Sequence, residues 1–287
     1  TLTIDKGRNM STQNALLTIL VEKIKNDTLV LPTLPAVALK VRKAADDPDI
    51  NLQDMGEVIG QDPSLSARMI KIANSAYLGR AVKVTSISQA VTRIGLRQIK
   101  NIATALAMEQ LFVSKNELVG EYMKKEWSNT VDVVANAMAA LQMYTARTKK
   151  RDLSIDTMTL MSLIHSIGVL PILTEAERHT EVFASPSFLD DAIDKLAPKV
   201  GGSIMRSWEF GEDFVVVAER WHDLAYIPEK LGYIDFVRVG AALAGQINNK
   251  KDAVLNLAIQ RGVVEDINSL LSDDFAEMRA GAKQIFA

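Results

Sequence analysis

Apolar side chains recur at intervals of three or four residues along almost the whole chain, which is the spacing of helices that bury one face. Residues 15–25 show this pattern, and so does the set formed by Leu65, Met69, Ile72 and Ala73. Strand-like alternation is nearly absent. The run from Val215 to Val217 is β-branched, but the polar residues on both sides of it favour a helix. The pattern therefore predicts an all-α fold.

Several helix ends carry capping signals. Asn51 is a plausible N-cap, and Asp62-Pro63 supplies a capping carboxylate followed by a proline at the first helical position. Ser86 and the glutamine three residues later fit a capping box. Gly95 fits the left-handed residue that commonly ends a helix. These signals predict three helix starts and one helix end in the first third of the chain.

The longest predicted helices span residues 122–144 and 155–170, and Pro171 should end or bend the second one. Shorter helices are predicted at 188–196, 203–208, 214–221, 234–247, 253–260 and 275–286. The polar stretch 114–120 is the best internal boundary. The expected organisation is an N-terminal helix or linker (1–30), a first helical lobe (31–113), a second helical lobe (114–247) and a C-terminal helical extension (248–287).

Composition narrows the classes of function. The 287 residues include 33 basic and 35 acidic side chains, which give a net charge of -2. This balance does not favour binding to nucleic acid or to an anionic membrane. No cysteine is present, which excludes disulfides and thiolate chemistry. The polar N-terminal residues lack the apolar segment of a signal peptide, and we find no long apolar run, so a cytoplasmic protein is expected. The chain begins at Thr1 instead of Met, which suggests a fragment or a processed start.

Five motifs in a fixed order resemble the HDOD domain family, an HD-related output domain of bacterial signalling proteins. They are Leu31-Pro32-Thr33-Leu34-Pro35, Asp47-Pro48, Gln61-Asp62-Pro63-Ser64-Leu65, Ala73-Asn74-Ser75-Ala76-Tyr77, and the segment 87–95. The resemblance covers residues 31–247. It implies an HD-like helical core with an additional N-terminal helical lobe. Its signature positions in this sequence are Asp62, Pro63, Asn74, Ser75 and Gly95.

The second half resembles the helical core of HD phosphohydrolases, which hold a catalytic metal. Asn129 stands where metal-bearing relatives have a histidine two positions after a tryptophan, and the His-Asp dipeptide falls on His165-Ser166. A His-His pair falls on Trp221-His222, and a late metal-binding aspartate falls near Ala241. A serine hydroxyl is uncharged at neutral pH and cannot replace the carboxylate. The resemblance therefore implies a degenerate site, with no metal and no cofactor.

Several of these residues also have purely structural interpretations. Only three histidines exist, and His165 lies in an apolar run, which favours a buried side chain over a ligand. We interpret His222-Asp223 as polarity at a helix end, and Asn74-Ser75 as side chains that satisfy the main chain there. The segment 86–112 resembles a helix-turn-helix, but its second helix begins with only Arg97 and Lys100 as cations, which weakens a DNA-binding hypothesis.

Two functions remain open from the sequence. The favoured hypothesis is a non-catalytic regulatory module that binds a signalling protein, or a small ligand in or beside the vestigial active-site cleft. It would bind neither nucleic acid nor membrane, and residues 1–30 could support a homodimer. The alternative is a divergent metal-dependent phosphohydrolase that acts on nucleotides or cyclic dinucleotides through His165, His222, Asp223 and other carboxylates.

Overall fold

The computed structural model describes residues 17–79, 82–180 and 186–286, and all regular secondary structure in these ranges is helical. The predicted all-α class is therefore confirmed. The helices are α1 (residues 17–25), α2 (Ala36–Ala45), α3 (Leu52–Gly60), α4 (Pro63–Ala73), α5 (Ile87–Ile94), α6 (Leu96–Ala107), α7 (Glu117–Thr148), α8 (Ile155–Ile164), α9 (Val169–Ala176), α10 (Pro186–Ser207), α11 (Glu212–Arg220), α12 (Tyr233–Leu243), α13 (Lys251–Gln260), α14 (Ile267–Leu270) and α15 (Asp273–Ile285).

The chain divides into two compact units, each assembled from three separate stretches. Unit 1 contains Thr1–Thr33, Leu111–Trp127 and Ile164–Arg220, and unit 2 contains Leu34–Gln110, Ser128–Leu163 and Trp221–Ala287. Unit 1 thus holds α1, the start of α7, and α9 to α11. Unit 2 holds α2 to α6, the remainder of α7, most of α8, and α12 to α15. The division of the sequence into four consecutive segments remains a prediction.

The three predicted helix starts are confirmed in unit 2. The side-chain oxygens of Asn51, Asp62 and Ser86 each accept a hydrogen bond from the main-chain N–H three residues later. The capping box at Ser86 is completed differently from the prediction, because the Gln89 side chain accepts from the N–H of Thr85 at 2.8 Å. Gly95 joins α5 to α6 with φ 81° and ψ 150°. The positive φ explains the glycine, but the ψ value lies outside the left-handed helical region that was predicted.

Helix α7 is longer than the sequence pattern indicated. It begins at Glu117 and ends at Thr148, so the second half of the predicted polar boundary is helical. The Asn116 side chain accepts a hydrogen bond from the N–H of Val119 at 3.1 Å, which explains why polar residues open this helix. Its apolar residues are largely buried, among them Trp127, Val134 and Met138.

The predicted single helix at 155–170 is wrong. Helix α8 ends at Ile164, a turn occupies residues 165–168, and α9 begins at Val169. Pro171 does not interrupt a helix because it lies in the first turn of α9, where main-chain N–H groups have no helical partner. The polypeptide therefore forms a turn at His165 and Ser166.

The two short helices predicted between residues 188 and 208 are one helix, α10, with Pro198 in its interior. Proline removes one helical hydrogen bond and normally interrupts a helix. Helix α10 packs against both α9 and α11 within unit 1. Tertiary packing of this kind routinely overrides local propensity, and here it keeps the helix continuous.

One stretch, Ile155–Ala176, is apolar and long enough to cross a membrane by those two criteria alone, which the sequence analysis had not recognised. Of the 18-residue window within this stretch that meets the two criteria, 83% is buried inside the protein. A buried core segment passes the same two criteria, so the stretch by itself is weak evidence for membrane insertion.

Candidate functional site

His165 and Ser166 lie in the turn between α8 and α9, in unit 1. Both are buried, with 1% and 8% of their surfaces exposed. Gly168 closes the turn directly above the main chain of α10. A Cβ atom at Gly168 would lie 1.9 Å from the carbonyl oxygen of Ala197, so only glycine fits there. The turn is thus held by close contact between main chains, and the two candidate residues are held with it.

Glu126 supplies the acidic group next to Ser166. It lies on α7, also in unit 1, and its side chain is hydrogen-bonded to the Ser166 hydroxyl. Burial raises the pKa of Glu126, and Asp190 adds to this effect, while the bond to Ser166 and the charge of Lys125 oppose it. Ser166, which the sequence resemblance matches to a metal-binding aspartate, therefore has a hydroxyl that contacts a neighbouring carboxyl group.

Sequence reasoning missed Glu126, although a signal for it exists. Val119 and Met123 are buried, and Glu126 follows them at helical spacing on the same face of α7. An acidic residue in register with a buried apolar face is unusual and marks a candidate functional or switch residue.

The pH dependence of stability tests this assignment. Because the pKa of Glu126 is higher in the folded protein than in the unfolded chain, folding binds protons between the two values, and stability falls as the pH rises through that window. Glu126→Gln should therefore unfold at a higher temperature than the wild type at pH 7. The gain should vanish below roughly pH 4, where glutamate is protonated in both states.

The measurement is thermal unfolding followed by circular dichroism from roughly pH 3 to pH 8. The exposed Glu121 on the same helix provides the matched control, and Glu121→Gln should show no such pH-dependent gain. A Glu126→Gln variant that is less stable than the wild type at pH 7, and equal to it at low pH, would show that the fold prefers the ionised carboxylate.

The other residues that the sequence resemblance matches to HD metal ligands belong to unit 2. Asn129 is half-buried on α7, and Ala241 is fully buried in α12. Trp221 and His222 form the turn that follows α11, with their ring centres 5.9 Å apart. The Asp223 carboxylate accepts a hydrogen bond from the N–H of Ala225 at 3.0 Å. Asp223 therefore caps its own turn, in line with the structural interpretation of His222-Asp223.

Arg238 fixes the turn that carries Trp221 and His222. Only 2% of this arginine is exposed, and its guanidinium donates to the main-chain carbonyls of Trp221, Asp223 and Tyr226 at 2.7 to 3.0 Å. Burial lowers the pKa of Arg238 below its usual value, while Asp235 and Asp223 act in the opposite direction. Sequence analysis did not select this residue because its partners are main-chain oxygens, which leave no pattern in the sequence.

An ion pair between Asp235 and Arg261 also supports this region. Asp235 lies in the first turn of α12, accepts from the N–H of Gly232 at 2.9 Å, and pairs with Arg261 at 2.7 Å. The Asp235 side chain is buried at 3% exposure, and that of Arg261 is 15% exposed. Helix α12 thus starts at a fixed position, which in turn places Arg238 one helical turn later.

The fit of a catalytic metal can be judged from the available ligands. Within residues 17–79, 82–180 and 186–286, no three His, Asp or Glu side chains lie close enough together to hold a metal ion. Catalytic sites usually provide about three protein ligands and one open position. The described residues therefore do not fit the metal centre of an HD phosphohydrolase.

The HDOD domain family model matches residues 31–224 of the sequence, about two thirds of the chain. The chain belongs to the HDOD domain family. The family match ends before Ala241, so the matching of that residue to a late metal ligand still depends on the sequence resemblance alone.

Solved structures agree with this HDOD assignment. A protein of Shewanella amazonensis SB2B is 42% identical to this chain, with a TM-score of 0.91. The match covers 96% of this chain and 100% of that protein's chain. The name of that protein assigns it provisionally to the metal-dependent phosphohydrolases. An HDOD domain protein of Geobacter sulfurreducens, named as having unknown function, is 19% identical, with a TM-score of 0.62 over 95% of this chain and 99% of its own. The second likeness shows the fold alone.

A curated relative extends well beyond this HDOD domain. An uncharacterized protein of Treponema pallidum (strain Nichols) is 24% identical over 211 residues, which cover 70% of this chain and 39% of that protein. The chain thus spans about two fifths of the length of that relative.

The HDOD signature residues contact the main chain. Asp62 and Pro63 start α4, and Gly95 joins two helices. Asn74 ends α4, donates to the carbonyls of Ile70 and Val84, and accepts from the N–H of Val84 at 2.8 Å. Ser75 donates to a helix carbonyl at 2.6 Å. These contacts hold the loop after α4 to the helix end, which is the fold role favoured for Asn74 and Ser75.

Proposed function

We propose that this HDOD domain is a regulatory module that acts by binding a signalling protein or a small ligand, and that it does not hydrolyse phosphate esters. Membership of the HDOD family fits a regulatory role. The finer statement, that the module is non-catalytic, depends on the chemistry around Ser166.

The hydrogen bond between Ser166 and Glu126 is the observation that carries the proposal. Metal-assisted hydrolysis needs an ion that activates water and stabilises the phosphoryl charge. Ser166 offers no negative charge, and the raised pKa of Glu126 favours the protonated form, which must lose its proton before it can bind a metal. Both groups also have a partner in each other, so neither is poised to accept a cation.

A divergent metal-dependent phosphohydrolase is the second candidate. It is favoured by the relative from Shewanella amazonensis, whose name points to that activity at 42% identity. His165 and His222 would be its imidazole ligands, with Asp223 as a carboxylate. Asp223 already caps its own turn, which argues against that assignment.

Metal analysis and activity assays separate the two candidates. Protein purified without chelators should contain only substoichiometric Mn, Fe, Ni and Zn, and should leave nucleotides and cyclic dinucleotides intact. His165→Ala should change neither result, and His179→Ala is the matched control. Stoichiometric metal together with hydrolysis that His165→Ala abolishes and His179→Ala preserves would refute the non-catalytic proposal.

The absence of nucleic-acid binding is part of the same proposal. Of the two cations at the start of α6, Lys100 is paired with the carboxylate of Asp46, which leaves Arg97 as the exposed one. A recognition helix needs a basic face that contacts phosphates as well as bases. The helix pair around Gly95 is therefore proposed as part of the regulatory fold.

A further inference from the structure

Two adjoining cavities in unit 2 open to solvent, and neither is lined by a degenerate HD position. The larger one, of about 490 Å³, has walls from α6, the C-terminal part of α7 and the connection from α7 to α8. The smaller one, of about 280 Å³, has walls from the segment after α4, from α7 and from α15. Tyr77 and Gln142 line both cavities and lie at the boundary between them. We call the two cavities together the α7–α15 groove.

The two halves of the α7–α15 groove carry opposite charges. Lys149 and Arg151 line the larger cavity, and Asp274 and Glu277 line the smaller one; all four side chains are exposed. Among the described lining residues, the larger cavity has no carboxylate and the smaller one has no cation. Asp152, next to Arg151 in the sequence, lines neither cavity. The groove therefore has a basic half and an acidic half.

These four charges are not neutralised by one another or by the rest of the described chain. None of them forms an ion pair there, whereas Lys283, also on α15, is paired with a carboxylate of α7. Asp274 and Glu277 lie three positions apart on α15, so they are neighbours on one helix face and repel each other. An opposite charge from outside the chain would relieve the repulsion in each half of the groove.

The boundary between the two halves is apolar and rigid. The Tyr77 hydroxyl donates to the carbonyl of Met278 at 2.6 Å, which fixes the ring, and both side chains are partly exposed. Tyrosine and methionine are enriched at the centres of protein–protein interfaces, where a polar rim surrounds them. Exposed ion pairs contribute little free energy, so in such an interface the charges set the register and the apolar centre contributes most of the affinity.

We propose that the α7–α15 groove binds the same groove of a second copy of this chain, with a twofold axis near Tyr77. A twofold dimer places one surface patch against itself, so the patch must be complementary to itself. Half a turn about such an axis brings the basic half of one protomer opposite the acidic half of its partner. A purely acidic or purely basic protein would be repelled by one half, whereas a second copy is attracted by both. This self-association goes beyond the proposed regulatory role and does not depend on whether phosphate esters are hydrolysed.

Analytical ultracentrifugation of the full chain tests the groove through charge reversals. Arg151→Glu puts a carboxylate in the basic half, and Glu277→Arg puts a cation in the acidic half. Both positions are exposed, so the fold should tolerate each change. We expect the wild type to sediment as a dimer at high micromolar concentration. Each reversal should weaken self-association at least tenfold, because a twofold dimer contains every repulsive contact twice.

Recovery of the dimer separates a docking defect from a folding defect. An equimolar mixture of Arg151→Glu and Glu277→Arg should dimerise again, because each altered half then faces an opposite charge. A single chain that carries both reversals should dimerise by itself for the same reason, and misfolding of either variant would prevent this recovery. Lys150→Glu and Arg279→Glu are the matched controls, since both positions are exposed and neither lines the groove, and each should leave the dimer intact.

Three results would overturn the assignment. A wild type that stays monomeric at every concentration would mean that the groove has a different occupant, such as a dipolar small molecule. A dimer that survives both reversals would use another surface, such as residues 1–30. Equal weakening by Arg151→Glu and Lys150→Glu would show diffuse charge repulsion instead of a contact in the groove. Sedimentation and hydrolysis are separate measurements, so each of these results leaves the proposed function to its own assays.

Discussion

Replacing Gly168 with alanine is expected to lower the free energy of unfolding by about 3 kcal/mol or more, because a new methyl group would overlap the main chain of α10. The added Cβ would lie 1.9 Å from the carbonyl oxygen of Ala197 and 2.6 Å from the nitrogen of Gly201. Both obstacles are main-chain atoms, so no side-chain rotation relieves the overlap. Helix α9 would have to separate from α10, and the turn at His165 and Ser166 would move with it.

Gly281 provides the matched control, since it lies inside α15 and a Cβ there would meet nothing within 4 Å. Gly281→Ala should be neutral or raise stability by up to about 1 kcal/mol through helix propensity. The check is chemical denaturation of both variants beside the wild type. A midpoint for Gly168→Ala that matches the wild type would mean that α9 does not approach α10 as closely as described.

Replacing Arg238 with methionine is expected to cost about 3 kcal/mol or more, because three main-chain carbonyls would lose a charged donor in a buried place. These carbonyls belong to Trp221, Asp223 and Tyr226. Methionine retains most of the side-chain length and removes only the donors. The turn that carries His222 should therefore lose its fixed conformation.

Two measurements separate this local effect from a general loss of helix. Thermal unfolding should show a lower midpoint, and hydrogen exchange should rise first at the amides of residues 221–226. Arg279→Met, at an exposed position on α15, should stay within about 0.5 kcal/mol of the wild type. Unchanged exchange at 221–226 in Arg238→Met would show that the turn is held by other contacts.

Short-range signals predicted the helix starts well. A capping residue acts on an N–H group only three positions away, so the sequence contains the whole interaction. Asn51, Asp62 and Ser86 were identified on that basis, and the structure confirms each cap. The all-α class was predicted for a similar reason, since apolar spacing is a local property that persists through the chain.

The errors occurred where distant segments determine the backbone. Two short helices were predicted between residues 188 and 208, yet α10 runs continuously through Pro198 and packs against α9 and α11. Pro171 was expected to end a helix, but the turn occurs at residues 165–168. Gly168 permits that turn because Ala197 and Gly201 approach it, and these residues lie about thirty positions away in the sequence. No local pattern contains that information.

At the candidate site, too, some features follow from the sequence alone and others only from the tertiary structure. The sequence by itself determined the residue identities and the order of the motifs, including the Ser166 that the resemblance matches to an acidic ligand, because these are properties of the chain. Only the tertiary structure decided that Glu126 contacts Ser166 and that Arg238 holds the turn of His222. The first contact joins two side chains and the second joins a side chain to main-chain carbonyls, and both depend on how distant segments pack and not on local spacing along the chain.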